Sequence, residues 1–363
     1  MPVRGNPHIR EIRWRTPLGS ASGLGRGTSA AAILAALIPL VPLTGCRPDG
    51  AAELDTATEE DSTRLAQPQI HRGSGSFLLE GGVRHPEKEI EVFFHRPESF
   101  SPDSPVLIVV PGAGRNGDEY RDAWVTAAEA FGVLVLSPTY AEVDYDFAAY
   151  HLGGLLSDVN LAESTGRGQR SNEVTLDEDR LTFVVNRSPD AWIFNDFDRL
   201  FEVATAATGS IRERYDLFGH SAGGQILHRL VLFHPRSKAD RILAANSGFY
   251  TLPDPATPFP FGLRDAPVAD GTLEASFEQR LVVFLGEEDD ENESGGTLLR
   301  SPTADLQGIH RLARGRHFYE TSQRIAEHLG AGFEWSLEVV PGVGHDFRAM
   351  SEAAADYLYG GRF

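Results

Sequence analysis

Ser221 stands between two glycines in the segment Gly219-His220-Ser221-Ala222-Gly223. A serine hydroxyl is a poor nucleophile near neutral pH. It needs a general base to take its proton, and that base needs an acid to orient it. The residues at 215–219 have the character of a strand, and an apolar-periodic stretch of helical period runs through 221–233. A tight strand-to-helix turn would lift the serine oxygen above the sheet edge. Glycines on either side remove steric conflict, and the helix N-terminus offers a backbone N–H to developing negative charge. Ser221 is therefore the candidate nucleophile and the amide of Ala222 a candidate oxyanion donor. In a chain with 37 glycines the five-residue pattern alone is weak, so the strand-turn-helix setting carries the weight.

A base and an acid should share the edge of the sheet with the serine. After the strand-length run at 281–286 come Glu287, Glu288, Asp289 and Asp290. An acid just past a strand end lies at the carboxyl edge of a parallel sheet. Asp289, three residues beyond Gly286, is preferred, with Asp290 as the alternative. His345 follows the run at 334–342, in a loop beyond the last strand. Of the twelve histidines, only His345 has that setting after the acid. His220 lies inside the turn, His228 and His234 belong to the following helix, and His310, His317 and His328 to a later helical stretch. The second oxyanion donor should come from the loop after the run at 105–112, from Ala113 or its neighbour Gly114. Gly112 and Gly114 would let that backbone approach a substrate oxygen closely. Chemistry of this kind requires no metal and no organic cofactor. The acidic run at 287–293 lacks the ligand spacing of a calcium-binding EF-hand loop.

These residues need a scaffold. The runs at 76–80 and 89–97 alternate in and out, as a half-exposed antiparallel pair would. Those at 105–112 and 132–140 are continuously apolar, as strands covered on both faces are. Further strands are expected at 215–219, 242–248, 281–286 and 334–342. Helical patterns occupy 118–131, 192–207, 221–233, 303–329 and 347–359. Such alternation implies an α/β fold, a mostly parallel central sheet with helices on both faces. Residues 141–190 break the rhythm and read as an irregular insertion, either a lid or substrate loop or a packed surface excursion. Residues 251–279, rich in Pro, Ala and Gly, form a second excursion.

The chain has 363 residues, 41% of them hydrophobic, enough for one large core or one core with an insertion. Its formal net charge of −19 argues against nucleic acid as a partner and against electrostatic capture by anionic lipid. The one cysteine, Cys46, excludes an intrachain disulfide.

Five arginines precede a 14-residue apolar run at 30–43 that Pro39 and Pro42 interrupt. The run is too short for a membrane span of about 20 residues and fits a secretory signal. It ends in Leu43-Thr44-Gly45-Cys46, which resembles the lipobox of bacterial lipoproteins. That resemblance implies a signal peptide over 1–45, lipidation of Cys46, and an extracytoplasmic protein anchored to a membrane of the cell envelope. Residues 46–74 then read as the lipidated Cys and a flexible acidic tether, and residues 75–363 as the folded domain.

The chain resembles the α/β-hydrolase superfamily, in particular bacterial proteins similar to poly(3-hydroxybutyrate) depolymerases and related esterases. The resemblance is carried by PGAGRNGDEYRDAW at 111–124, DLFGHSAGGQILHR at 216–229, AANSGFYTLP at 244–253, VFLGEEDD at 283–290 and VPGVGHD at 340–346. It implies Ser221 as nucleophile, Asp289 as acid, His345 as base, and Ala113 and Ala222 as oxyanion donors. It also implies cleavage of a small or oligomeric carboxylic ester through an acyl-enzyme, with no cofactor. One departure is Pro111-Gly112, where relatives often carry His-Gly. Two other readings stand beside it: a peptidase on the same scaffold, and a non-catalytic surface lipoprotein that keeps the fold.

Overall fold

A computed structural model of the chain describes residues 13–14, 68–269 and 271–361. Apart from residues 13–14, the signal segment 1–45, Cys46 and the tether up to residue 67 lie outside the described residues. Eight strands build the central sheet: β1 (Gly73–Glu80), β2 (Glu89–Arg96), β3 (Val106–Val110), β4 (Leu134–Thr139), β5 (Tyr215–His220), β6 (Ala239–Ala245), β7 (Arg280–Gly286) and β8 (Ser336–Val340). Their spatial order is β8-β7-β6-β5-β3-β4-β2-β1. From β8 to β4 every pair is parallel, while β2 joins β4 and β1 joins β2 antiparallel.

The continuous apolar runs have the reason expected of them. All five residues of β3 are buried, because both sheet faces are covered. Val106, Ile108 and Val110 join one core with Phe197, Ile226, Leu227 and Phe318. Leu107 and Val109 join a second core with Tyr120, Trp124, Met350 and Ala354. Helices Phe194–Thr208, Ala222–Phe233 and Arg311–Leu329 thus cover one face, and Gly117–Ala123, Val125–Phe131 and Phe347–Tyr359 the other. All twelve residues of Ala222–Phe233 are buried, so the helix after Ser221 is the central helix of its layer.

Several boundaries differ from the sequence reading, each for a local reason. The helix expected at 118–131 is two helices that meet at Trp124, whose buried side chain fills the second core. The stretch 303–329 splits into Pro302–Leu306 and Arg311–Leu329. Gly308 between them has φ +141°, and the His310 side chain caps the second helix by accepting from the Ala313 N–H. Strand β6 ends at Ala245 rather than reaching residue 248, because Asn246 turns the chain at φ 47°. Residues 73–74, assigned to the tether, already belong to β1, and Ile70 is buried ahead of them.

The insertion at 141–190 is more ordered than its sequence suggests. It holds a short helix, Phe147–His151, and strands Thr165–Arg167 and Glu173–Leu176 that pair antiparallel. Leu298–Arg300, from the loop after β7, adds to Glu173–Leu176 in parallel and completes a three-stranded sheet.

Strands β3 and β5 are neighbours, but the chain leaves β3 for β4 on one side and β5 for β6 on the other. Such a divergence opens a crevice at the carboxyl ends of the strands, where ligands of open parallel sheets bind.

Candidate active site

Ser221 follows β5 directly and precedes the central helix. Its backbone has φ 57° and ψ −112°, a conformation that costs a non-glycine residue about 1–3 kcal/mol and persists only where the surroundings impose it. Its N–H donates to the Ala245 carbonyl at 2.9 Å, and its own carbonyl accepts from the Gln225 N–H at 3.0 Å. The flanking glycines serve close approach. A Cβ on Gly219 would lie 2.6 Å from the Gly223 carbonyl, and one on Gly223 would lie 2.1 Å from the Val110 carbonyl oxygen. Without side chains there, the helix start can press onto the ends of β3 and β5.

Asp289 is fully buried beyond the end of β7. Its Oδ2 is 2.8 Å from His345 Nδ1, and its Oδ1 accepts from the Arg311 guanidinium at 2.9 Å. Asp290 faces elsewhere and caps its own turn by accepting from the Asn292 N–H at 2.8 Å. Of the two acids left open by the sequence, the structure brings Asp289 to the histidine. Burial alone would raise the Asp289 carboxyl, but hydrogen bonding to His345 and the Arg311 charge outweigh it and hold the carboxyl below its usual range. An ionised Asp289 accepts only, so the proton belongs on His345 Nδ1 and Nε2 is left as the basic nitrogen.

A second imidazole lies against the first. The rings of His220 and His345 are 4.5 Å apart, and His220 Nδ1 is 3.2 Å from the Tyr120 hydroxyl. Burial, then the neighbouring His345 and Arg311, keep His220 far below the usual imidazole range, so it is neutral.

The loop after β3 runs beside the serine. A Cβ on Gly112 would be 3.4 Å from Ser221 Cβ and 2.9 Å from the Tyr120 hydroxyl oxygen. With Pro111 in place of the expected histidine, other groups hold the loop. The Tyr150 hydroxyl donates to the Pro111 carbonyl at 2.7 Å. Buried Arg115 donates to the carbonyls of Tyr140 at 2.9 Å, Tyr145, and Asp146 at 3.3 Å, and its guanidinium lies over the Tyr150 ring. Ala113 and Gly114 line the same cavity as Ser221 and His345, and Ala222 is the first residue of the central helix.

That cavity has a volume of about 480 Å³. Phe147, Leu161 and Val174 of the insertion line it together with Phe249, Leu299 and Phe347, and among the described residues no Asp, Glu, Lys or Arg does. His151 adds a polar group to the wall. Burial, then repulsion from Arg115 and Arg229, lowers it to about 3, so it too is neutral at any physiological pH.

Three supporting residues escaped the sequence reading. Arg311 opens a helix 22 residues beyond the acid it holds. Glu293 accepts from the His345 N–H at 2.6 Å, although it stands at the end of an acidic run with no motif to single it out. Asn246 accepts from the Gly286 N–H at 2.8 Å and donates to the Gly344 carbonyl at 3.1 Å, tying together the loops that carry Asp289 and His345. An Asn just past a strand, in a position that demands φ > 0, is the only one of these with a local signal. Among the described residues no three His, Cys, Asp or Glu side chains are grouped as a metal site would require.

Two solved structures are similar to the chain over most of its length. One is poly(aspartic acid) hydrolase-1 from Sphingomonas sp. KT-1, 34% identical with a TM-score of 0.68, the match covering 80% of this chain and 100% of that one. The other is the poly(3-hydroxybutyrate) depolymerase LpqC from Bordetella parapertussis, 32% identical with a TM-score of 0.69, covering 81% of this chain and 91% of that one. No protein-family model matches the chain, and no curated protein matches it.

Proposed function

The chain is a hydrolase that belongs to the α/β-hydrolase superfamily, and on that premise we propose that it cleaves uncharged carboxylic esters through Ser221, His345 and Asp289. The observation that carries the reading is the 2.8 Å contact between buried Asp289 and His345, on a cavity that Ser221 shares. Ser221 Oγ attacks the ester carbonyl while His345 Nε2 takes its proton, and Asp289 stabilises the imidazolium. The tetrahedral oxyanion is received by the N–H groups of Ala113 and Ala222. As the C–O bond breaks, His345 returns the proton to the leaving alcohol, and an acyl-enzyme on Ser221 remains. Water, deprotonated by His345, attacks that acyl group; the acid is released and Ser221 recovers its proton.

The two relatives act, by name, on a polyanion and on a neutral polyester. Among the described residues the cavity wall carries no Asp, Glu, Lys or Arg, and on a chain of net charge −19 this favours the neutral substrate, because a polyanion would meet repulsion without a cation there to receive it. Incubating residues 47–363 with p-nitrophenyl butyrate, a hydroxyalkanoate trimer and poly(aspartic acid) tests this. Hydrolysis of the esters is expected; cleavage of poly(aspartic acid) alone would favour the amide-cleaving reading.

We also propose that Cys46 carries a lipid that holds the enzyme at a membrane of the cell envelope, a reading supported by the leader and the Leu43-Thr44-Gly45-Cys46 motif alone. Expressed with its leader in a bacterium, the wild type should sediment with membranes and Cys46→Ala should not. Equal sedimentation of both would remove the lipid anchor.

A further inference from the structure

Glu293 lies where two loops and the insertion meet. Its carboxylate receives three backbone N–H groups: Ser294 at 2.7 Å and Gly295 at 2.6 Å on Oε1, and His345 at 2.6 Å on Oε2. The approach depends on Gly344, where a Cβ would stand 2.3 Å from Oε2. The main chain of Glu293 is held from the other side. Its carbonyl accepts from the Arg170 guanidinium at 2.7 Å and from the Asn172 side chain at 3.4 Å, and Arg170 also donates to the Glu291 carbonyl. Arg170 and Asn172 join the two insertion strands whose residues Thr165 and Val174 form part of the cavity wall.

We propose that Glu293 is a positioning residue: it fixes the main chain of His345 and couples that chain, through Arg170, to the insertion that walls the substrate cavity. The inference deepens the serine-hydrolase reading and rests on it. The ionisation of Glu293 fits the role. Burial alone would raise the Glu293 carboxyl, but the N–H donors of His345, Gly295 and Ser294 outweigh it, so the carboxyl sits below its usual range and stays ionised. A charged acceptor makes stronger hydrogen bonds than a neutral one. A glutamine there has one acceptor oxygen for three converging donors, so at least one N–H must be abandoned. Proton transfer is sensitive to such a shift, because His345 must stay within hydrogen-bond reach of Ser221. Ground-state binding is set by the cavity walls and should change little.

The test compares wild type, Glu293→Gln, Arg170→Met and the double variant on a p-nitrophenyl ester, with fluorophosphonate labelling and thermal melting alongside. Glu293→Gln is expected to lower kcat about 10- to 100-fold, the cost of misplacing a reacting group by a fraction of an ångström to an ångström. KM should stay within about twofold, as for a group that acts only in the transition state. Labelling of Ser221, which also needs the base, should slow by the same factor in a protein that remains folded. Arg170→Met should lower kcat less, and the double variant should be no slower than Glu293→Gln alone, because Arg170 holds the Glu293 main chain and reaches His345 only by way of the Glu293 carboxylate. Should Glu293→Gln not fold, Glu293→Asp, which draws the charge back by one methylene, is read the same way. An active wild type with an equally active Glu293→Gln would overturn the positioning role, and additive losses would overturn the link to Arg170. A wild type that neither labels nor turns over would instead sink the hydrolase reading itself.

Discussion

Asp289→Asn should lower kcat/KM for ester hydrolysis about 10⁴-fold, while Asp290→Asn should leave it nearly unchanged. An asparagine amide in place of the Asp289 carboxylate can present its NH₂ to His345 Nδ1. That would reverse the tautomer and put the proton on the nitrogen that must act as base. It also removes the negative charge that stabilises the imidazolium formed as Ser221 attacks. Stability should fall as well, because Arg311, a fully buried guanidinium, loses its anion. Breaking a buried ion pair from one side typically costs about 3–5 kcal/mol. The rate must therefore be measured per folded molecule, by activity and urea unfolding on one preparation. Equal losses in Asp289→Asn and Asp290→Asn would mean that the 2.8 Å contact is not the working one. The same electrostatics give a pH dependence. The Asp289 carboxyl is held below its unfolded value near 3.8, so the stability it contributes is complete above that pH. It is lost as pH falls through the lower folded value, and Asp289→Asn should erase that part of the acid unfolding curve.

Ser221→Ala should abolish turnover, by about 10⁶-fold when nucleophile and base act as a unit, and should eliminate fluorophosphonate labelling. The variant also separates chemistry from strain. Alanine keeps a Cβ in a backbone conformation of φ 57° and ψ −112°, so Ser221→Ala gains little stability. Ser221→Gly removes that Cβ and should be more stable than Ser221→Ala by about 1 kcal/mol or more, while equally inactive. Residual labelling of Ser221→Ala would place the reactive group elsewhere. Indistinguishable melting of the two variants would show that the turn is held without strain.

Much of the scaffold could be read from local pattern. Strand β3 is apolar at every position and is covered on both faces, whereas β1 and β2 alternate and form the half-exposed antiparallel edge. Gly219 and Gly223 marked the turn around Ser221 because a backbone that approaches another at under 3 Å from a Cβ position excludes every larger residue. Helix interruptions were harder. Trp124 breaks a helix whose periodicity runs on unbroken, since the gain comes from burying an indole in a core assembled from distant segments. The insertion at 141–190 looked irregular because its strands are short and one of its partners, Leu298–Arg300, comes from more than 100 residues away.

The site divides along the same line. Sequence alone determined that a serine would stand in a strained turn between a strand and a helix, and that acids and a histidine would follow later strands. Those features arise from backbone sterics and side-chain period, which act over a few residues. Tertiary structure alone decided that Arg311 and Glu293 hold the pair of Asp289 and His345, and that, among the described residues, the cavity wall bears no charge. These contacts join residues 22 to 56 positions apart in the chain. Hydrogen bonds and ion pairs are decided by tenths of an ångström, and separations that fine are set by the order and register of packed strands, which no local pattern encodes.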